Sequence, residues 1–414
     1  MQPMKKVDCA HGLYGVPEIW ESIFIFIITG MEPFSFIHQA LALRKASGQL
    51  RTLKDLEPLP GSRVRYQGKE LINLSSNDYL GLAEHPLLSQ RAASYMTSYG
   101  AGSKASRLVS GNIAPFGLLE ERLARLKGQE ASLILNAGFQ ANSSLPGLFV
   151  GKGDLILMDR LIHNSLIQGA SLSGARLQRF GHNDLVDLET KLQQARSKSD
   201  RRILVLTESV FSMDGDLADL AQTKALCDRH QAMLLVDEAH ATGVMGQSGM
   251  GLTNGLGIDL VMGTFGKGLG SFGAYFACPE AVKQYAINFA PAFIYTTALP
   301  PQVLGAIDAA LELVPQMETE RKQLHDLAEL FRKEAGLLGY DCMGSQSQII
   351  PILMGEEERA VGLMEHLLER GFLAVAIRPP TVEQGRSRVR FALNSLLKEE
   401  QIHQLLEALH DFPK

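Results

Sequence analysis

Between about Asn73 and Pro300 short apolar runs alternate with amphipathic helices, a pattern that predicts an α/β domain on a mostly parallel sheet. After Pro300-Pro301 the texture shifts to longer helices with fewer strands, which predicts a smaller α+β domain from 301 to 414. A chain of 414 residues, 45% hydrophobic and 21% charged, has enough apolar material for two such cores.

The elements follow in order. Residues 1–30 read as an N-terminal extension outside the catalytic fold, with Met31 as the candidate start of the catalytic chain. The run Ile23–Ile28 is too short to cross a bilayer, which takes roughly 20 apolar residues. Glu18 and Glu21 before it, and the lack of a small-residue cleavage site after it, argue against a secretory signal. Residues 31–50 look helical, with Phe36, Ala40 and Leu43 near one face and Arg44 and Lys45 outside it. Gly61 and Gly68 bracket a hairpin-like stretch, and residues 31–72 are expected to pack with the small domain.

In the large domain, 73–300, the clearest strands are Ser132–Leu135, Leu155–Met158, Ile203–Leu206, Met233–Val236 and Leu260–Gly263. Leu118–Lys127 reads as a helix with Leu119, Leu123 and Leu126 on one face and Gly128 as its stop. The C-terminal part predicts helices near 302–313, 318–338, 356–370 and 398–409, and strands at 348–353, 373–377 and 388–393.

With 40 Lys and Arg against 45 Asp and Glu, the formal charge of -5 offers no basic field for a phosphate backbone, so nucleic acid is not an expected partner. Cys9, Cys227, Cys278 and Cys342 are far apart and form no CxxC pair, as expected of reduced thiols in a cytoplasmic protein without a membrane role. No HExxH occurs and the histidines lack ligand spacing, so no metal site is expected.

Four pieces carry chemistry. Thr264-Phe265-Gly266-Lys267-Gly268-Leu269-Gly270 follows an apolar strand and sets one lysine among glycines, which let backbone approach closely. A lysine desolvated there becomes a nucleophile or base; on a plain surface turn it stays an ammonium. None of Gly68-Lys69, Gly151-Lys152 and Gly266-Lys267 belongs to a Walker loop, because the earlier glycine and the following Ser or Thr are missing. Asp237 ends the strand Met233–Val236, at the edge where open α/β sheets bind ligands. The string Asp237-Glu238-Ala239-His240 also occurs in helicases, a reading that the missing Walker loop and the acidic charge argue against. Ser132–Gln140 reads as strand, tight turn and helix start, either an anion site or a plain βα connection. His163 stands just past a strand, in a place that suits a structural or a catalytic histidine.

In this order the pieces resemble the aspartate-aminotransferase fold (fold type I) of pyridoxal phosphate enzymes, and within it the α-oxoamine synthase family. The resemblance runs from about Met31 to the C-terminus and includes Asn77-Asp78-Tyr79-Leu80-Gly81-Leu82, Arg179–Asp184, Thr207–Asp216, Tyr295-Thr296-Thr297 and Ile377-Arg378-Pro379-Pro380-Thr381-Val382. It implies pyridoxal 5'-phosphate held covalently by Lys267, which later shuttles the substrate Cα proton, and Asp237 paired with the ring nitrogen. It also implies His163 stacked on the ring, His240 and Ser212 near the phenolic oxygen, and Gly138, Phe139 and Thr264 at the phosphate. Sites at a homodimer interface are implied, with Thr296 reaching the other subunit's phosphate, and Asn77 and Arg378 on a substrate carboxylate.

The reaction implied is decarboxylative condensation of an amino acid with an acyl thioester. The Ile377–Val382 block favours the biotin-pathway branch, which joins L-alanine to a pimeloyl thioester of coenzyme A or acyl carrier protein. Competing readings are other members such as glycine C-acetyltransferase, 5-aminolevulinate synthase or serine palmitoyltransferase, an aminotransferase on the same fold, and a non-enzymatic binding protein. Two departures stand out: Lys104 and Ala105 occupy positions where relatives often have glycines, and Phe116 one where they often have histidine. They bear on acyl-chain selection and loop flexibility.

Overall fold

A computed structural model describes residues 33–47, 49–197 and 202–413. The expected extension 1–30, its Ile23–Ile28 run, Cys9 and Met31 lie outside the described residues. The chain up to Lys54 forms one compact unit and Asp55–Lys414 a second. In the first, the helix Ser35–Ala46 ends on Arg44 and Lys45, which complement the negative end of its dipole, and none of its residues is buried.

The second unit holds three sheets. The largest has seven strands in the order β4-β10-β9-β8-β7-β5-β6: β4 Ala131–Leu135, β5 Leu155–Asp159, β6 Arg176–Phe180, β7 Ile203–Glu208, β8 Met233–Asp237, β9 Leu260–Thr264 and β10 Ala274–Cys278. All pairs from β6 across to β9 are parallel, and β10 runs antiparallel to both β9 and β4. Both faces are covered, so the strands read as unbroken apolar runs with alternate residues in two different cores. Leu155, Leu157, Val205, Leu234 and Val236 enter one core, and Ile156, Met158, Leu204, Leu206 and Leu235 the other. β6 and β10 are additions to the five strands expected.

The second sheet joins β1 Glu57–Leu59, β2 Arg63–Tyr66 and β3 Lys69–Asn73 with β12 Phe372–Leu373, the last parallel to β3. Gly61 and Gly68, at φ +77° and +79°, make its two turns, a backbone region glycine enters without steric cost. The third sheet is antiparallel, β11 Ile349–Gly355, β14 Ser387–Ala392 and β13 Val375–Ile377, and its core includes Phe331, Leu363, Phe391 and Leu405. The single strand expected at 373–377 is therefore two short ones in different sheets, separated by the buried Ala374. The helix Pro301–Leu313 puts Leu304, Ile307 and Leu311 into a core of the large sheet, so the chain changes cores only after Val314, later than the Pro300-Pro301 shift in texture.

Three of the residues singled out in the sequence have local roles here. Lys104 adopts φ +68°, the left-handed region, which fits a site where glycine is the easier residue. Ala105 accepts a backbone hydrogen bond from Ala298 at 3.0 Å. Phe116 is buried beneath the Arg107 guanidinium, 4.1 Å from its ring centroid.

His182, in the Arg179–Asp184 block, bridges two carboxylates, Asp159 Oδ1 at 3.0 Å and Asp216 Oδ2 at 2.8 Å, and meets Phe211 edge-on. Burial alone would lower its pKa, but hydrogen bonds and charge from the two carboxylates outweigh it and push it to about 10. The folded value lies above the unfolded one near 6.5, so the stabilisation is complete below that pH and is lost as pH rises towards 10. We expect urea midpoints of the wild type and His182→Gln to differ most at about pH 6 and to converge by about pH 10.

Candidate active site

β5, β7, β8 and β9 are mutually parallel, and β4, antiparallel to β10, shares their direction. Their carboxyl ends therefore open on one edge of the sheet, the edge at which α/β folds bind ligands. Gly138 and Phe139 start the helix after β4, and His163 caps the helix after β5, where its Nδ1 accepts from the Ser165 amide at 3.3 Å. Glu208, Asp237 and Thr264 are the last residues of β7, β8 and β9. All of these line one cavity of about 210 Å³, together with His240 and Lys267.

The glycines around Lys267 hold its loop against neighbouring backbone. A Cβ on Gly268 would come within 2.6 Å of the Thr242 carbonyl oxygen, and one on Gly270, at φ +60°, within 2.5 Å of the Ala83 nitrogen. Gly266 donates to Thr264 Oγ1 at 3.1 Å, and that hydroxyl donates to the Gly273 carbonyl at 2.8 Å. The lysine is a half-buried amine at the cavity wall. Burial lowers its pKa to about 8, against the pull of Asp237 and Glu208, with Arg390 pushing the same way as burial.

Asp237 is oriented by two donors, Asn142 Nδ2 at 2.7 Å on Oδ2 and the Ala239 amide at 2.8 Å on Oδ1. Asn142 also donates to Ser165 Oγ at 3.0 Å, and that hydroxyl lies 2.6 Å from His163 Nδ1, so the acid and the histidine share a frame. Glu208 is buried and accepts the amides of His163 at 2.5 Å and Ser212 at 3.3 Å. Burial raises its pKa well above the usual carboxylate range, and the Asp237 charge adds to the effect. His240 Nε2 lies 2.7 Å from Lys267 Nζ. Burial, then the Lys267 and Arg390 cations and His163, hold its pKa well below 6.5, which keeps it neutral.

Not every candidate reaches the cavity. Ser212 stands behind Glu208, with its carbonyl accepting from Arg390 Nε at 2.8 Å. Thr296 Oγ1 accepts from Asn136 Nδ2 at 3.0 Å, away from the cavity lining. Arg378, half-buried after β13, is also outside that lining, as is Asn77, whose Oδ1 accepts from Tyr79 at 3.1 Å and Arg390 at 3.4 Å. Sequence reasoning assigned no site role to Asn142, Ser165, Glu208, Tyr79 or Arg390. Of these, Glu208 left a signal, an acid ending an apolar strand as Asp237 does.

Glu238 turns from the cavity into the protein. It pairs with Lys127, both side chains fully buried, and accepts Thr253 Oγ1 at 2.7 Å and the Thr253 amide at 3.0 Å. Its role in the Asp-Glu-Ala-His string is to tie the helix Ala114–Lys127 to the segment that follows His240. Among the described residues no cluster of His, Cys, Asp or Glu is placed to hold a metal, and no helix is long and apolar enough to cross a membrane.

The chain matches the class I and II aminotransferase family over residues 69–409. It is 49% identical to the 8-amino-7-oxononanoate synthase of Gluconacetobacter diazotrophicus, covering 84% of this chain and 89% of that one. To the 8-amino-7-oxononanoate synthase of Geobacter sulfurreducens it is 46% identical, over 88% of this chain and 94% of the relative. Its fold superposes with a TM-score of 0.85 on a lysine-to-alanine variant of serine palmitoyltransferase from S. paucimobilis with a bound PLP–myriocin aldimine, 25% identical, over 91% of this chain and 96% of that one.

Two outcomes follow from the geometry. In protein freed of cofactor, arylation of Lys267 by a small amine-directed reagent should titrate with a midpoint near pH 8, and Asp237→Asn, which removes the anion that holds the ammonium, should move the midpoint lower. Glu238→Ala leaves the Lys127 cation buried without its partner and should cost about 3–5 kcal/mol, read as a fall in denaturant midpoint.

Proposed function

Since the chain belongs to the 8-amino-7-oxononanoate synthases of the class I and II aminotransferase family, we propose that it condenses L-alanine with a pimeloyl thioester, giving 8-amino-7-oxononanoate, CO2 and the free thiol carrier. It is a pyridoxal phosphate-dependent acyltransferase. The observation that carries the proposal is the meeting of Lys267 and Asp237 in the lining of one cavity, with the acid held by two fixed donors.

The residues fit the cofactor: an amine of lowered pKa, a carboxylate oriented by Asn142 and Ala239, and a turn at Gly138 beside Thr264. When bound, pyridoxal phosphate supplies an electron sink for the negative charge left on the amino acid's Cα. In our reading the Lys267 amine would hold the cofactor, and its Nζ would take and return the Cα proton of alanine. The Asp237 carboxylate would pair with the ring nitrogen and keep it protonated, and His163 would stack on the ring. His240 hydrogen-bonds at the phenolic oxygen, with Ser212 supporting that side through Glu208. The Gly138 and Phe139 amides and the Thr264 hydroxyl take the phosphate. Arg378 and Asn77 receive a carboxylate of substrate or product.

We place the working sites in a homodimer, with Thr296 serving the partner's phosphate; its position outside its own cavity lining supports that assignment. Either coenzyme A or acyl carrier protein would deliver the acyl group. The similarity to serine palmitoyltransferase supplies the competing substrate pair, serine with a long acyl chain.

Mass spectrometry of incubations with alanine and pimeloyl thioester should show 8-amino-7-oxononanoate, with CO2 released in equal amount. A preference for glycine or serine, or turnover without CO2, would reject the assignment in favour of another α-oxoamine synthase or an aminotransferase. Lys267→Ala should lower kcat by about 10²- to 10⁴-fold, the usual loss for a general acid–base.

A further inference from the structure

His163 follows β5 and Asp237 ends β8, and a chain of hydrogen bonds through two buried side chains joins them. Asn142 Nδ2 donates to Asp237 Oδ2 at 2.7 Å and to Ser165 Oγ at 3.0 Å, and Ser165 Oγ lies 2.6 Å from His163 Nδ1. No link in this chain uses the Lys267 amine. An ionised carboxylate accepts at about four places, so the bonds that Asp237 makes with Asn142 and Ala239 leave room for a partner in the cavity.

The direction of each hydrogen follows from its neighbours. A carboxylate only accepts, so the Asn142 amide has to turn its nitrogen, and not its oxygen, towards Asp237. The second hydrogen on that nitrogen goes to Ser165 Oγ. The buried Asn142 Oδ1 meets no donor among the described residues, so nothing on its side competes for the orientation. Ser165 Oγ accepts from Asn142 and gives its own hydrogen to His163 Nδ1, and the Ser165 backbone N–H points at the same nitrogen from 3.3 Å. A nitrogen that faces two donors is bare, and a neutral imidazole then carries its hydrogen on Nε2. Burial holds the pKa of His163 below 6.5 against the pull of Asp237, which keeps the ring neutral.

We infer that Asn142 and Ser165 are positioning residues that fix His163 as its Nε2–H tautomer, with the Asp237 carboxylate setting the direction of the whole chain. A reversed Asn142 would invert every step. Its oxygen would take the Ser165 hydrogen, Ser165 would accept from Nδ1–H, and Nε2 would be left bare. Asp237 excludes that state, because the reversed amide would set oxygen against carboxylate. One acid then has two tasks: it serves the ring nitrogen and, through two side chains, places a hydrogen on the far nitrogen of His163. The alanine carboxylate and the thioester carbonyl of the proposed reaction offer only acceptor oxygens, so a histidine that meets them has to donate.

The inference rests on the proposed function for the place of His163 beside the ring, and its test uses no substrate. The holoenzyme, with pyridoxal phosphate bound and 15N-histidine incorporated, is studied by nitrogen NMR at about pH 7.5, above the ordinary histidine range. The His163 signals are assigned by their absence in His163→Gln. Imidazole nitrogens with and without hydrogen resonate well apart. We expect one tautomer in the wild type, Nε2–H with a bare Nδ1. In Asn142→Leu, which keeps the size of the side chain and leaves Asp237 and His163 unaltered, the single-tautomer pattern should be lost and an Nδ1–H signal should appear; Ser165→Ala should give the same result. An Nδ1–H tautomer or an imidazolium in the wild type, or an unchanged single tautomer in either variant, would overturn the inference. The wild-type spectrum decides on its own if neither variant folds. Failure of the substrate assignment would show only in product identification and would leave the tautomer as it stands.

Discussion

The site depends on holding one half-buried amine between two carboxylates. Asp237 and Glu208 are close enough to Lys267 to pull on its proton, and desolvation still wins. That balance yields an amine that gives up its proton near pH 8 with an anion still beside it. Each carboxylate is restrained in turn, Asp237 by Asn142 and Ala239, Glu208 by two backbone amides. Neither can swing in to quench the lysine as an ordinary ion pair.

The parallel sheet makes this possible by bringing strand ends together. Residues 95 positions apart, Asn142 and Asp237, meet because β4 and β8 discharge on the same edge of one sheet. The neighbouring Glu238 shows how sharply position along a strand divides labour. One residue beyond the strand end, the chain has turned enough for an acid to leave the cavity and lock with Lys127 in the core.

Much of this was legible in the sequence. The five strands with unbroken apolar runs were readable because burial on both faces demands such runs; Asp237 and His163 stood out because they follow such runs, and Lys267 because it stands among glycines. β6 escaped notice because its Arg-Leu-Gln-Arg-Phe sequence is that of a partly exposed edge strand, and β10 because it returns straight from the glycine loop without the helix that separates the others. Tyr79, Asn142 and Arg390 could not be read locally. Tyr79 and Arg390 come to the site from outside the large sheet, Asn142 from the interior of a helix beside it, and only tertiary packing brings them to the histidine and the acid. Arg378 was chosen from a motif, whereas the arginine whose charge is felt at Lys267 is Arg390, twelve residues on in β14.

The reversed strand β10 also sets what the lysine can do. Thr264 and Ala274 face each other as ladder partners, so the segment bearing Lys267 is a closed loop clamped at both ends by the sheet. In the proposed reaction the lysine would move its amine away from the cofactor and back, and a backbone held at both ends by the ladder leaves that travel to the side-chain methylenes alone.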